Sequence, residues 1–213
     1  MMKMEITGCT VGEIGTNCYL AVNRDTKEAL IVDPGDNAML IMTRCGELGI
    51  KPSAILLTHG HFDHVLAVPE LRQALKLPVY MMEEEQNVLG DASMNLSAIM
   101  ASSPIRLKAD HLLKDGDQIE LAGFCFRVIH TPGHTVGSCC YYEEEEQVLF
   151  SGDTLFEGSY GRTDFPTGSI SELIRSIQDK LLILPDEVKV YPGHMGDTTI
   201  AVEKRYNPAA ARF

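Results

Sequence analysis

The stretch Thr58-His59-Gly60-His61-Phe62-Asp63-His64 constrains this chain more than any other. It follows Ala54-Ile55-Leu56-Leu57, a short apolar run after Lys51-Pro52-Ser53 that reads as a buried strand. Three imidazoles and a carboxylate therefore crowd into the six positions from His59 to His64, at a strand end. Residues two apart in extended chain point the same way, so His59 and His61 can meet one metal ion. Asp63 and His64, past the turn, would face a second ion beside it. Four ionisable side chains held together without such a purpose would be costly. Neutral imidazole and carboxylate are the usual ligands of zinc, iron or manganese.

The remaining composition narrows what such a site can serve. With 213 residues and 45% apolar content the chain can bury a core, and one domain over residues 1–213 is expected. A net charge of −12 and a pI near 4.9 argue against nucleic acid, which needs a basic face. The acidic runs Glu83–Glu85 and Glu143–Glu146 read as solvated faces. No apolar run reaches the roughly 20 residues of a membrane span, and the opening residues lack a signal-peptide pattern, so the cytoplasm is expected. Cys9, Cys18, Cys45, Cys125, Cys139 and Cys140 follow no zinc-finger spacing and read as reduced, buried small hydrophobes.

Along the chain, strands are expected over residues 6–11, 17–23 and 28–32. A helix capped by Asp36 should run to about Leu48, with Gly49 ending it. Helical spacing returns over 67–75, then a short strand over 78–81. The pattern from Asp91 to Ser103 is a weak helix whose Met94, Leu96, Ile99 and Met100 read as packing residues. Residues 118–121 and 124–129 form a hairpin across Ala122-Gly123. Strands follow over 148–150 and 188–191, and a helix begins near Asp197 and stops at Asn207-Pro208. Strands flanked by helices in this order fit an α/β unit with helices outside two packed sheets.

Three further strand ends offer ligands. Residues 124–129 run into His130-Thr131-Pro132-Gly133-His134, residues 148–150 into Ser151-Gly152-Asp153, and residues 188–191 into Pro192-Gly193-His194. His130 reads as structural or as a support to a ligand. A carboxylate can bridge two cations, one oxygen on each, which suits Asp153. His59, His61 and His134 then form one ligand set and Asp63, His64 and His194 the other, each with an open position. Two ions about 3.5–4 Å apart sharing Asp153 would generate a nucleophile from water at neutral pH.

His-x-His-x-Asp-His followed by a downstream His, an Asp and a last His resembles the signature of the metallo-β-lactamase superfamily. The resemblance implies a four-layer αβ/βα sandwich with the metals in a groove at one edge of the sheets. Gly158-Ser159-Tyr160-Gly161-Arg162-Thr163-Asp164-Phe165-Pro166, Tyr191-Pro192-Gly193-His194 and Glu203-Lys204-Arg205-Tyr206-Asn207-Pro208 are similar to the short glyoxalase II-like hydrolases. That likeness implies cleavage of a small-molecule thioester of the hydroxyacylglutathione type by a hydroxide bridging two divalent ions, zinc before iron or manganese. Asp63 and Asp153 would be catalytic as well as ligating, and Arg162 and Tyr160 would touch substrate; an ion pair with Asp164 is the structural alternative for Arg162. Full-length glyoxalase II adds a C-terminal helical domain for glutathione, which is not expected here, and carries tyrosines at the positions of Asp164 and Gly196.

Persulfide dioxygenases share the ligand pattern and a similar Gly-Arg-Thr-Asp-Phe loop, and imply a single iron on His59, His134 and Asp153. Lactone hydrolysis is a third option, and a metal-binding regulator without turnover is the non-enzymatic one. β-Lactam hydrolysis is disfavoured, because those enzymes generally lack an Asp at the position of Asp153.

Overall fold

The computed structural model describes residues 3–211. Strands β1 (Met4–Val11), β2 (Thr16–Asn23) and β3 (Glu28–Val32) form an antiparallel meander. Helix α1 (Ala38–Leu48) then crosses to β4 (Lys51–Leu56), which pairs with β3 in parallel. After α2 (Phe62–Val65) and α3 (Val68–Leu75) come β5 (Val79–Met82), α4 (Gln86–Gly90), α5 (Ser97–Met100) and β6 (His111–Leu113). β5 and β6 extend the first sheet in parallel, giving six strands in chain order.

The second sheet is built from β7 (Gln118–Leu121), β8 (Phe124–His130), β9 (Cys139–Glu143) and β10 (Val148–Gly152), paired antiparallel in sequence. A small ribbon, β11 (Leu155–Phe156) and β12 (Ser159–Tyr160), and helix α6 (Ile170–Ser176), running on as a π-helix over Ile177–Leu181, precede β13 (Lys189–Pro192). β13 lies parallel beside β10, β14 (Thr198–Thr199) closes that edge, and α7 (Ile200–Tyr206) follows.

Alternation along the strands assigns their two faces to different layers. Leu30, Val32 and Leu56 of the first sheet meet Phe126, Tyr141 and Phe150 of the second in one buried cluster. Their neighbours Ile31 and Ile55 turn the other way onto Ile41 of α1 and Leu71 of α3. On the far side Ile129, Leu149 and Val190 pack on Leu173 of α6, Leu181 and Ile200 of α7. The result is the expected αβ/βα sandwich. Among the described residues no helix is long and apolar enough to cross a membrane.

Several boundaries differ from expectation for local reasons. Asn37, not Asp36, caps α1: it adopts φ 52°, and its Oδ1 accepts the Leu40 N–H at 3.1 Å. Asp36 instead accepts the Asn37 N–H at 2.6 Å and so props the cap. Gly49 ends the helix in the left-handed region as expected. The 121–124 hairpin forms with Ala122 at φ 51° and Gly123 at φ 78°, both in the left-handed region that two-residue hairpins of this hand require. Residues 91–103 hold only one helical turn, α5, and the packing expected of them is half absent: Leu96 is buried, but Ile99 is 79% exposed and Met100 46%.

The acidic runs are not simply solvated faces. Glu85, Glu143 and Glu146 are buried, while Glu144 and Glu145 are exposed. All six cysteines are free, and Cys125 is exposed and Cys9 half-buried, against the expectation that all would be interior.

Candidate metal centre

Four chain segments leave the sheets at the same edge and meet there. Past β4, the Thr58 backbone N–H donates to Asp33 Oδ1 at 2.8 Å and its hydroxyl to Asp33 Oδ2 at 2.7 Å. This anchors the residue before His59 to the end of β3. The Cys139 N–H donates to the Thr58 carbonyl at 2.9 Å, tying the second sheet to the first beside the cluster. At β13, the Gly193 N–H donates to the Gly152 carbonyl at 2.9 Å, and the Asn17 N–H to the Gly193 carbonyl at 2.8 Å. His61 stands just before α2, so Asp63 falls in its first turn and His64 in its last. The histidine loop is thus part extended and part helical, and the turn expected there is a helix start.

All seven expected ligand residues come together. His59, His61 and His134 form one group, Asp63, His64 and His194 another, and in each the potential ligand atoms lie within 4.8 Å of one another. His59, His64 and Asp153 form a third group by the same measure. Asp153 lies between the sets: its Oδ1 is 3.3 Å from His64 Nε2, and its Oδ2 is 3.5 Å from both His134 Nε2 and His194 Nε2. No cysteine belongs to these groups.

The donor set can be tested against a metal through its unsatisfied atoms. His59 Nε2, His61 Nε2, His64 Nε2 and Asp153 Oδ1 are buried and have no hydrogen-bond partner. Buried polar atoms are nearly always paired, and leaving one unpaired costs about 1–3 kcal/mol. Four such atoms in groups packed within 4.8 Å fit cations and fit little else. Burial, with the neighbouring His134, holds His61 down at about 3, so its imidazole is neutral and its lone pairs are available. His59 is lowered likewise by burial and by His64 and His134. Burial opposes ionisation of Asp153, yet the histidines around it, His64 foremost, hold its carboxyl well below the usual range. The dinuclear arrangement expected of this fold is thus matched by an imidazole and carboxylate donor set.

Supporting contacts fix the orientation of these side chains. His134 Nδ1 lies 2.7 Å from the Arg162 carbonyl, which can only accept, so Nδ1 carries the proton and Nε2 faces the cluster. The Thr16 hydroxyl donates to Asp63 Oδ2 at 3.0 Å. His130 takes no part: its Nε2 contacts the Val136 carbonyl at 2.9 Å.

Glu85 was hidden in an acidic run and is the main residue that sequence reasoning missed. Fully buried, it accepts the Gly60 N–H at 2.9 Å and the Gly137 N–H at 2.8 Å, one on each carboxylate oxygen. It therefore clamps the His59–His61 loop to the loop after His134. Burial outweighs these bonds and pushes its carboxyl up to about 7. Glu85→Ala would strand two buried N–H groups, a loss of about 2–5 kcal/mol in unfolding free energy. Chemical denaturation of wild type and variant measures that loss directly.

Arg162 and Tyr160 both line the cavity beside the cluster. The Arg162 guanidinium, however, is bound by both Asp164 oxygens at 2.7 Å and lies 4.0 Å over the Phe165 ring. Its firmest tie to the centre is through its main-chain carbonyl.

Residues 11–194 match the family model described as the metallo-beta-lactamase superfamily. The chain belongs to the metallo-β-lactamase superfamily. As such it is a metallohydrolase. The hydroxyacylglutathione hydrolase GloC of Haemophilus influenzae is 39% identical to it, over 97% of each chain. The crystal structure of the BLEG-1 B3 metallo-beta-lactamase superposes with a TM-score of 0.91 at 43% identity, covering 96% of this chain and 98% of that one. The crystal structure of TTHA1623 in a di-iron-bound form gives 0.84 at 38% identity, over 95% and 98%. The fold of the superfamily implies a two-metal site, and the His and Asp groups at the sheet edge are its candidates.

Proposed function

We propose that this superfamily member hydrolyses thioesters of the hydroxyacylglutathione type, with two divalent ions, zinc first, held by His59, His61, His134, Asp63, His64, His194 and Asp153. The reading rests most on the likeness to the Haemophilus influenzae hydroxyacylglutathione hydrolase, which extends over 97% of each chain and so spans every one of these residues. Bound there, the ions supply Lewis acidity and a water-derived nucleophile at neutral pH. The protein's own residues do the rest. Asp153 sets the spacing of the two donor sets, and the Thr16 hydroxyl steadies Asp63, which orients the attacking water. Phe165 stands edge-on to His61 and Phe156 edge-on to His194, at 5.9 and 6.0 Å between ring centres, and together they limit water on either side. The scissile carbonyl enters from the open cavity of about 390 Å³ that His61, Asp63, His134, Asp153 and His194 line. A thiol leaves as thiolate without a strong acid, since its ordinary pKa is near 8.5.

The acidic balance suits a small-molecule substrate in the cytoplasm and neither nucleic acid nor membrane as partner. A second reading, β-lactam hydrolysis, draws on the 43% identity to BLEG-1. One preparation assayed on S-lactoylglutathione, on a chromogenic cephalosporin and, by oxygen electrode, on glutathione persulfide separates the chemistries. The expected result is thiol release from the thioester at a kcat/KM at least about a hundredfold above the cephalosporin value, with no oxygen uptake. Cephalosporin turnover alone, or oxygen consumption alone, would overturn the thioesterase assignment.

A further inference from the structure

The geometry points to an acyl-chain trough: the cavity beside the metal cluster binds thioesters whose acyl group carries an apolar tail of several carbons, in preference to one the size of lactoyl. This rests on the thioesterase reading above and narrows its substrate. Three separate segments bring apolar side chains to the cavity. Ile14 comes from the β1–β2 loop, Leu96 and Met100 from the turn around α5, and Met195 from the residue after His194, with Phe156 and Phe165 on the walls.

Isolated exposed apolar residues are common on any surface, but these converge. Ile14 is 47% exposed, Met100 46% and Met195 59%, and all three face one cavity that also opens on the ligand groups. Two of the positions are held in strained backbone. Leu96 has φ 67° and Met195 φ 69°, in the left-handed region that side chains of this size rarely adopt. Such strain costs of order 1–3 kcal/mol and tends to persist at ligand-clamping sites. Exposed in this way, Met195 has little packing of its own to set against that cost.

The charges point the same way. Arg162 is the sole Lys or Arg among the residues lining this cavity, and its Nε and Nη2 donate to the two Asp164 oxygens. A carboxylate-bearing acyl group meets there an Arg162 whose charge Asp164 already balances, while a hydrocarbon tail finds apolar surface on several sides. Methionine's flexible thioether suits a trough that accepts tails of different shape.

The test holds the thiol constant and varies the acyl group. S-lactoyl-, S-butanoyl- and S-hexanoylglutathione are compared as substrates of the metal-loaded protein. The inert thioethers S-methyl- and S-hexylglutathione are compared by calorimetry. Each methylene that leaves water is worth about fourfold in affinity, so even partial burial predicts hexanoyl above lactoyl in kcat/KM by about tenfold. The same reasoning predicts a hexyl Kd about tenfold or more below the methyl one. A Met100→Ser, Met195→Ser double variant should shrink both ratios. Cleavage that is level or falls with chain length, with a Kd indifferent to the alkyl group, would overturn the trough while leaving the hydrolase intact. No cleavage of any member would overturn the thioesterase reading and this inference with it. Should the double variant fail to fold, the wild-type series decides alone.

Discussion

Asp153→Ala is expected to lower kcat/KM for thioester hydrolysis by about a thousandfold or more, with the protein still folded. The carboxylate is the one group whose two oxygens reach histidines of both donor sets, Oδ1 toward His64 and Oδ2 toward His134 and His194. Its removal breaks the link between the two ion positions. Two-metal charge stabilisation is worth several kcal/mol, and each 1.36 kcal/mol of barrier is tenfold in rate. Asp153 is also buried among imidazoles, so Ala leaves His64 without its strongest carboxylate neighbour. Elemental analysis should therefore show fewer than two ions per chain in the variant. Wild-type turnover at full metal occupancy would refute the bridging role.

Gly193→Ala should be nearly as damaging, although Gly193 is neither a ligand nor charged. A Cβ built there would stand 2.3 Å from Asp153 Oδ1 and 2.7 Å from His64 Cε1. Ordinary contact needs more than 3.4 Å, so the carboxylate must retreat by about 1 Å, and a shift of that size can cost a hundredfold in rate. Overpacking of this kind also costs about 1–3 kcal/mol of stability. The expected outcome is a kcat/KM reduced about a hundredfold and a modestly lower Tm. A variant with wild-type kinetics would mean that Asp153 has room to move without consequence. The Pro-Gly-His ending of β13 thus has a steric reason: the chain must pass directly over the carboxylate.

How much of this was legible in the sequence depended on whether a residue's purpose is local. The histidine stretch could be read because its spacing and its position after an apolar strand are local facts, and the Pro-Gly-His endings repeated that pattern. The ordered set of seven then implied the sandwich, since one set of strand ends had to meet at one edge. Glu85 could not be read in the same way. Its neighbours Glu83 and Glu84 are exposed, and only the fold brings Gly60 and Gly137, 77 residues apart in sequence, to its two oxygens. Strand β9 is not legible in the sequence, because Cys139 to Glu143 are buried on both faces and show no alternation. Methionine and isoleucine usually pack, so the sequence around α5 reads as packing. Here Met100 faces the cavity and Ile99 faces out. Arg162 was legible both as a cation near the site and as an ion-pair partner of Asp164 two residues on, and the structure shows the pair at 2.7 Å.

The most direct test of the account is a metal titration of the stripped protein, with free-thiol release from an acylglutathione followed as each equivalent is added. Activity should be absent in the stripped protein, rise with occupancy and level off at about two ions per chain. Thiol release that survives stripping, or that never appears at two bound ions per chain, would contradict it.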